Sequence, residues 1–152
     1  MGAVYFYHLT DTPLEATLPM LLTKARQAGW RILVRGTDQA LLDRLDHALW
    51  QGAVDDFLPH GLAGTAHDDD QPILLGRDVA ADGFDCIMSV GGADISAEEI
   101  GKAERACILF DGHEGAALGH ARSQWKSLTG AGATAQYWAQ DDGRWLKKAE
   151  AG

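Results

Sequence analysis

The sequence is poor in the features that usually announce chemistry. Cysteine is scarce: Cys86 and Cys107 are the only two, 21 positions apart. That spacing excludes a disulfide framework and a CxxC redox or metal pair. Both read as buried, inert, small apolar residues in a reducing compartment. No apolar run approaches the roughly 18 residues that suggest a membrane span. No charged-then-apolar leader opens the chain, so a cytoplasmic protein without membrane association is expected. Positive charge is also short, with 13 Lys/Arg against 22 Asp/Glu and a net charge of −9. Direct binding to a nucleic-acid backbone is therefore disfavoured.

Glycine-rich phosphate loops are missing as well. After the first predicted strand the chain reads His8-Leu9-Thr10-Asp11-Thr12-Pro13, and Ser89-Val90-Gly91-Gly92-Ala93 holds only two adjacent glycines. Neither matches a phosphate-cradling fingerprint, and no GKS or GKT follows. No serine sits in a GxSxG elbow. His60, His67 and Asp68 to Asp70 lack the fixed spacing of a metal site and read as a solvated acidic loop. Asp55-Asp56 has no evident partner acid. On residues alone the chain shows no active site, no metal site and no cofactor, and the weight moves to binding. A small nucleotide- or phosphate-ligand-binding α/β protein remains the alternative.

What is present is regular alternation. Ala3–Leu9 reads as a strand. Asp11-Thr12-Pro13 opens a helix with Leu14, Leu18, Leu21, Leu22 and Ala25 at helical spacing. Pro19 is expected to kink it or delay its start, and Gly29 ends it. Arg31–Arg35 is a buried strand. Thr37 or Asp38 caps a second helix, whose Leu41, Leu42, Leu45, Ala48 and Leu49 form a stripe that should end near Gly52. Residues 51–71 read as loop. Strands follow at Pro72–Gly76, Phe84–Val90 and Ala106–Phe110, with a short helix at Ala97–Glu104. His113–Leu128 is the last helix, with Leu118, Ala121, Trp125 and Leu128 on one face. Thr134–Gln140 and Arg144–Lys148 suggest a short hairpin across Asp141-Asp142-Gly143. The pattern predicts one α/β domain over residues 1–152, with a largely parallel central sheet.

Two biases stand out. Residues 1–119 hold 8 Lys/Arg and 19 Asp/Glu, whereas residues 120–152 hold 5 and 3. The net-basic end carries Arg122, Lys126, Arg144, Lys147 and Lys148. Large aromatics recur at Trp50, Phe57, Trp125, Tyr137, Trp138 and Trp145. Most aromatics serve cores, but those near loops and helix ends also anchor interfaces. Stacking of single-stranded nucleic acid on them conflicts with the net charge.

Tyr5-Phe6-Tyr7, RLDHALW (Arg44–Trp50), FLPHGLAG (Phe57–Gly64) and ARSQWK (Ala121–Lys126) together resemble the chi subunit of bacterial DNA polymerase III. The likeness runs from the first strand to about Lys126. It implies a Rossmann-like three-layer α/β fold without bound nucleotide. It also implies a non-catalytic accessory subunit of the clamp-loader complex. Such proteins join the clamp loader through the psi subunit and bind the acidic C-terminal tail of single-stranded DNA-binding protein. Carried over residue by residue, Trp50 and Phe57 meet the partner subunit, with Pro59 and His60 shaping the loop. A helicase sharing that surface is an alternative partner, and a core role is the alternative reading of Trp50. Arg122, Trp125 and Lys126 would take the tail: Arg122 holds a carboxylate by two parallel hydrogen bonds, and Trp125 walls an apolar pocket. Leu118 stands where some chi proteins carry lysine, and Trp125 where tyrosine is frequent, so Arg144, Lys147 or Lys148 could supply charge instead.

Overall fold

The computed structural model describes residues 2–51, 59–65, 68–77, 79–142 and 144–151. Eight strands form one sheet: β1 (Ala3–Leu9), β2 (Ile32–Arg35), β3 (Gly61–Leu62), β4 (Ile73–Gly76), β5 (Cys86–Ser89), β6 (Arg105–Asp111), β7 (Thr134–Asp141) and β8 (Arg144–Ala151). Their order is β3-β4-β2-β5-β6-β1-β7-β8. Every neighbouring pair is parallel except β7 and β8, an antiparallel hairpin. Helices α1 (Leu14–Gln27), α2 (Gln39–Trp50), α3 (Ala97–Lys102) and α4 (Gly115–Gly130) supply the crossovers.

The period-2 alternation of the strands sorts side chains to two faces. Ile32, Val34, Cys86, Met88, Cys107 and Leu109 pack with Leu18 and Leu22 of α1 and Leu42, Leu45 and Leu49 of α2. Val4, Phe6, Ala106 and Ile108 pack on the opposite side with Ile100 of α3 and Ala121 and Leu128 of α4. Each fully buried Leu contributes roughly 1.5–3 kcal/mol by leaving water. A smaller cluster of Leu33, Leu74 and Phe84 closes the β2–β4 end, and the Arg31 guanidinium lies 4.1 Å over the Phe84 ring.

Local chemistry fixes the helix ends. Asp38 caps α2 by accepting from the Ala40 amide at 3.0 Å. Ser96 and Glu99 form a reciprocal capping box on α3, which satisfies two otherwise orphaned amides. Pro13 itself sits at the N-cap of α1, without a side-chain cap. The helix starts ahead of Pro19 and runs through it, so the proline does not delay it.

Arg35 ties the layers together. Its guanidinium donates to both Glu99 carboxylate oxygens, at 2.9 and 2.7 Å, and to the carbonyls of Asp94 and Val79. The Arg35 hydrogen bonds hold the Glu99 carboxyl down at about 2.

Candidate functional site

Trp50 is the last residue of α2 and is 55% exposed. Its ring centroid lies 4.3 Å from that of His60, tilted 40°. His60 is buried. Its Nε2 lies 3.2 Å from both the carbonyl and a carboxylate oxygen of Asp46. A carbonyl can only accept, so Nε2 carries the proton and donates. The histidine is therefore a buried platform tied to α2 beneath the tryptophan, while Pro59 is exposed beside it. Phe57 lies outside the described residues. Of the expected partner surface, Trp50 and Pro59 are thus accessible, whereas His60 is buried against the Trp50 ring.

On the other face of the sheet, Arg122 and Lys126 are exposed on α4 and Trp125 is half-buried between them. Trp125 makes edge contacts with Phe6 (centroids 5.3 Å apart) and Tyr137 (6.0 Å). Such pairs add about 0.5–1.5 kcal/mol beyond area burial. The indole is held in one orientation with the rest of its surface outward. Among the described residues Arg122 and Lys126 meet no carboxylate. Leu118, one turn earlier, packs against the core cluster under α4.

Residues remote in sequence complete this surface. Tyr137 Oη and His8 Nδ1 are 2.9 Å apart. Burial lowers the pKa of His8, and the positive charges of Arg122 and His113 push it the same way, against the Gly112 backbone and Asp111. Burial raises the pKa of Tyr137, opposed by Arg122. Arg122 thus lies within electrostatic reach of a histidine and a phenol that no spacing along the chain would have singled out. Gly112 permits the arrangement, because a β-carbon there would fall on the His8 ring.

The carboxyl ends of the strands, where nucleotide-binding folds place their ligand, are also informative. A cleft of about 800 Å³ opens there, next to the loop after β1, the Gly91-Gly92 turn and the start of α4. Four carboxylates line it, from Asp11, Glu15, Asp111 and Glu114, against one Lys/Arg side chain, Arg44. The amides after β1 are already engaged: Gln140 Oε1 accepts from the N–H groups of Thr10 (2.9 Å), Asp11 (2.9 Å) and Thr12 (3.3 Å). Successive amides converging on one oxygen are an anion cradle. Here the protein's own glutamine fills it.

The acidic loop is a turn lock. The Asp68 carboxylate accepts from the Gly64 and Thr65 amides, which lower its pKa. His67 lies outside the described residues. Among the described residues no group of three or more His, Cys, Asp or Glu side chains is placed to hold a metal ion. Cys86 and Cys107 are free and buried. A hydrogen bond with the Cys107 thiol, together with burial, pushes the Cys86 thiol well up, which keeps it protonated and unreactive. No described helix is long and apolar enough to cross a membrane.

The protein-family model for the DNA polymerase III chi subunit, HolC, matches residues 1–136. The chain belongs to the chi family. The match runs from β1 through α4 into β7, so Trp50, Pro59 and His60 as well as Arg122, Trp125 and Lys126 fall inside it. The end of β7 and all of β8 lie beyond it. Among curated proteins, none matches the chain. A chi-family chain is an accessory subunit of DNA polymerase III, and DNA replication is its setting.

Proposed function

We propose that this protein is an adaptor within the DNA polymerase III holoenzyme, without an active site of its own. One surface, Trp50 on the platform of His60 together with the sequence neighbours Phe57 and Pro59, docks psi or an equivalent such as a helicase. The other, Arg122, Trp125 and Lys126, takes the acidic C-terminal tail of single-stranded DNA-binding protein. Residues 1–152 act as one chi-like unit in the cytoplasm, and the protein touches nucleic acid only through its partners.

The observation that carries this reading is the placement of α2 and α4. Their apolar stripes belong to cores on opposite faces of the sheet. Two partners can therefore be held at once without competing, which is what an adaptor requires. The chemistry at α4 suits an acidic peptide with a free carboxylate. Among the described residues Arg122 has no carboxylate partner, its fork matches a carboxylate bidentately, and Trp125 presents a fixed aromatic wall.

The test is titration with a peptide copying the last residues of the cognate single-stranded DNA-binding protein, at low and moderate salt. Saturable binding that weakens with salt is expected, because exposed charge pairs are screened. Arg122→Ala should weaken it further, and Trp50→Ala should leave it unchanged. Absence of binding at either salt would overturn the α4 assignment.

A nucleotide-binding reading draws support from the cleft at the carboxyl ends of the strands, but its carboxylates and the Gln140 plug oppose it. A bound nucleotide would raise the melting temperature by mass action. No rise with ATP or NAD is expected.

A further inference from the structure

A second groove lies on the α1 side of the sheet, away from both surfaces above. It has a volume of about 510 Å³ and runs between α1 and the hairpin β7–β8. Tyr5 and Tyr7 of β1 form its floor, Trp30 closes one end, and Trp138 and Trp145 form the outer wall. Trp145 meets Tyr7 edge-on at 5.3 Å. Met20, 58% exposed, stands on the α1 rim. Trp138 and Trp145 lie beyond the region matched to the chi family, so this wall is a feature of the chain's own C-terminal hairpin.

The charge in the groove has one sign. Among the described residues Lys24 and Arg105 are the charged ones that line it, and no Asp or Glu does, although acidic residues outnumber basic ones across the chain. The Arg105 guanidinium lies 4.3 Å over the Tyr5 ring and 5.3 Å from the Trp30 ring. The two rings hold its plane without using its N–H donors in an ion pair. Neither Arg105 nor Lys24 has a carboxylate partner among the described residues. A half-buried, aromatic-clamped guanidinium with open donors is prepared for a carboxylate. Half-buried aromatic rings on either side offer their outward faces to large apolar side chains.

We propose that this groove docks an acidic peptide segment of a protein partner, in which a carboxylate pairs with Arg105 and Lys24 and flanking aromatic or aliphatic side chains seat against Trp30, Trp138 and Trp145. It is a third docking surface, independent of the two assigned above. A nucleic-acid strand is the less fitting occupant, because two cations in a strongly acidic protein give little backbone attraction.

The five tryptophans make the test direct. In an ¹⁵N-labelled sample each gives one indole N–H resonance, assignable by Trp→Phe variants. The probe is the amidated peptide acetyl-Asp-Phe-Glu-Leu-Asp-amide, which lacks the free C-terminal carboxylate. Saturable shifts of the Trp30, Trp138 and Trp145 resonances are expected, with Trp50 and Trp125 unmoved. Lys24→Gln, on the exposed rim of α1, and Arg105→Gln should each weaken binding about tenfold, the size of one charge-assisted hydrogen bond. Lys24→Gln keeps the test valid if Arg105→Gln fails to fold. The proposal is overturned if no resonance moves up to about 1 mM peptide, or if only Trp50 or Trp125 moves. It is also overturned if a lysine-substituted peptide acts equally, if an oligothymidine strand shifts the groove resonances more strongly, or if dilution alone shifts them, which would make the occupant a second copy of the chain. Because Trp50 and Trp125 report the other two surfaces separately, failure here leaves the adaptor reading standing.

Discussion

Truncating Trp50 separates an anchor from a core plug. A tryptophan side chain presents about 200 Å², and here 55% of the residue is exposed, which leaves about 110 Å² for a partner to cover. At about 25 cal/mol per Å² that area is worth about 2.8 kcal/mol, or about 100-fold in Kd. The remaining area, about 90 Å² against the His60 platform, limits the cost to the fold to about 2 kcal/mol at the same coefficient. Alanine's better helix propensity returns about 0.5 kcal/mol of it. Trp50→Ala should therefore weaken the proposed complex with psi or its equivalent about 100-fold by calorimetric titration, while its melting temperature falls by no more than about 8 °C. Binding within about threefold of the parent, with a stability loss above about 3 kcal/mol, would refute the reasoning. The indole would then belong to the core.

Three further outcomes follow from particular contacts. Arg35→Met should cost about 2 kcal/mol in urea unfolding, between the values for exposed and buried ion pairs. Because Glu99 is held at about 2 instead of 4.5, the contribution of the pair is present above pH 4.5 and is lost as pH falls through about 2. The deficit of the variant should hold from pH 7 down to about pH 5.5 and shrink steadily between 4.5 and about 2, and a deficit independent of pH over that whole range would show Glu99 titrating normally. Gly112→Ala should destabilise by about 1–3 kcal/mol through overpacking against His8, and His8→Ala should relieve most of that in a double-mutant cycle. An additive cycle would mean the two positions do not meet. His60→Ala should cost about 2–3 kcal/mol, because it strips the Asp46 carbonyl of its donor and Trp50 of its support; it should also weaken psi binding, and an unchanged Kd would detach His60 from that surface.

Much of this fold was legible in the sequence because periodicity and caps agree along it. Ala3–Leu9 was read with its true boundaries, and α2 does begin after Asp38 and carry Trp50 at its end. Pro19 misled, because a proline in the second turn removes a single backbone bond that the burial of Leu18 and Leu22 outweighs. Strand β3 was missed, since two residues, Gly61 and Leu62, carry no readable period. The strand expected at Arg144–Lys148 stops short of the end of β8, because Ala149 to Ala151 carry only weak alternation at a sheet edge where none is required.

The surfaces were legible only in part. Arg122 and Trp125 are neighbours by helical spacing alone. His8, Tyr137 and Gln140 come to their partners across about 130 positions of chain, and no local pattern predicts that. The exposure of Trp50 depends equally on His60 lying beneath it, which only the folded chain reveals.

Gln140 makes the C-terminal hairpin a latch as well as a wall. One side-chain oxygen on β7 closes the amides of Thr10, Asp11 and Thr12, in the loop that leads into α1. Loss of that one oxygen, as in Gln140→Ala or local fraying at the end of β7, would free three donors together. Proton exchange at those three amides should therefore rise and fall as one, a built-in reporter at the start of the chain on whether its far end is docked.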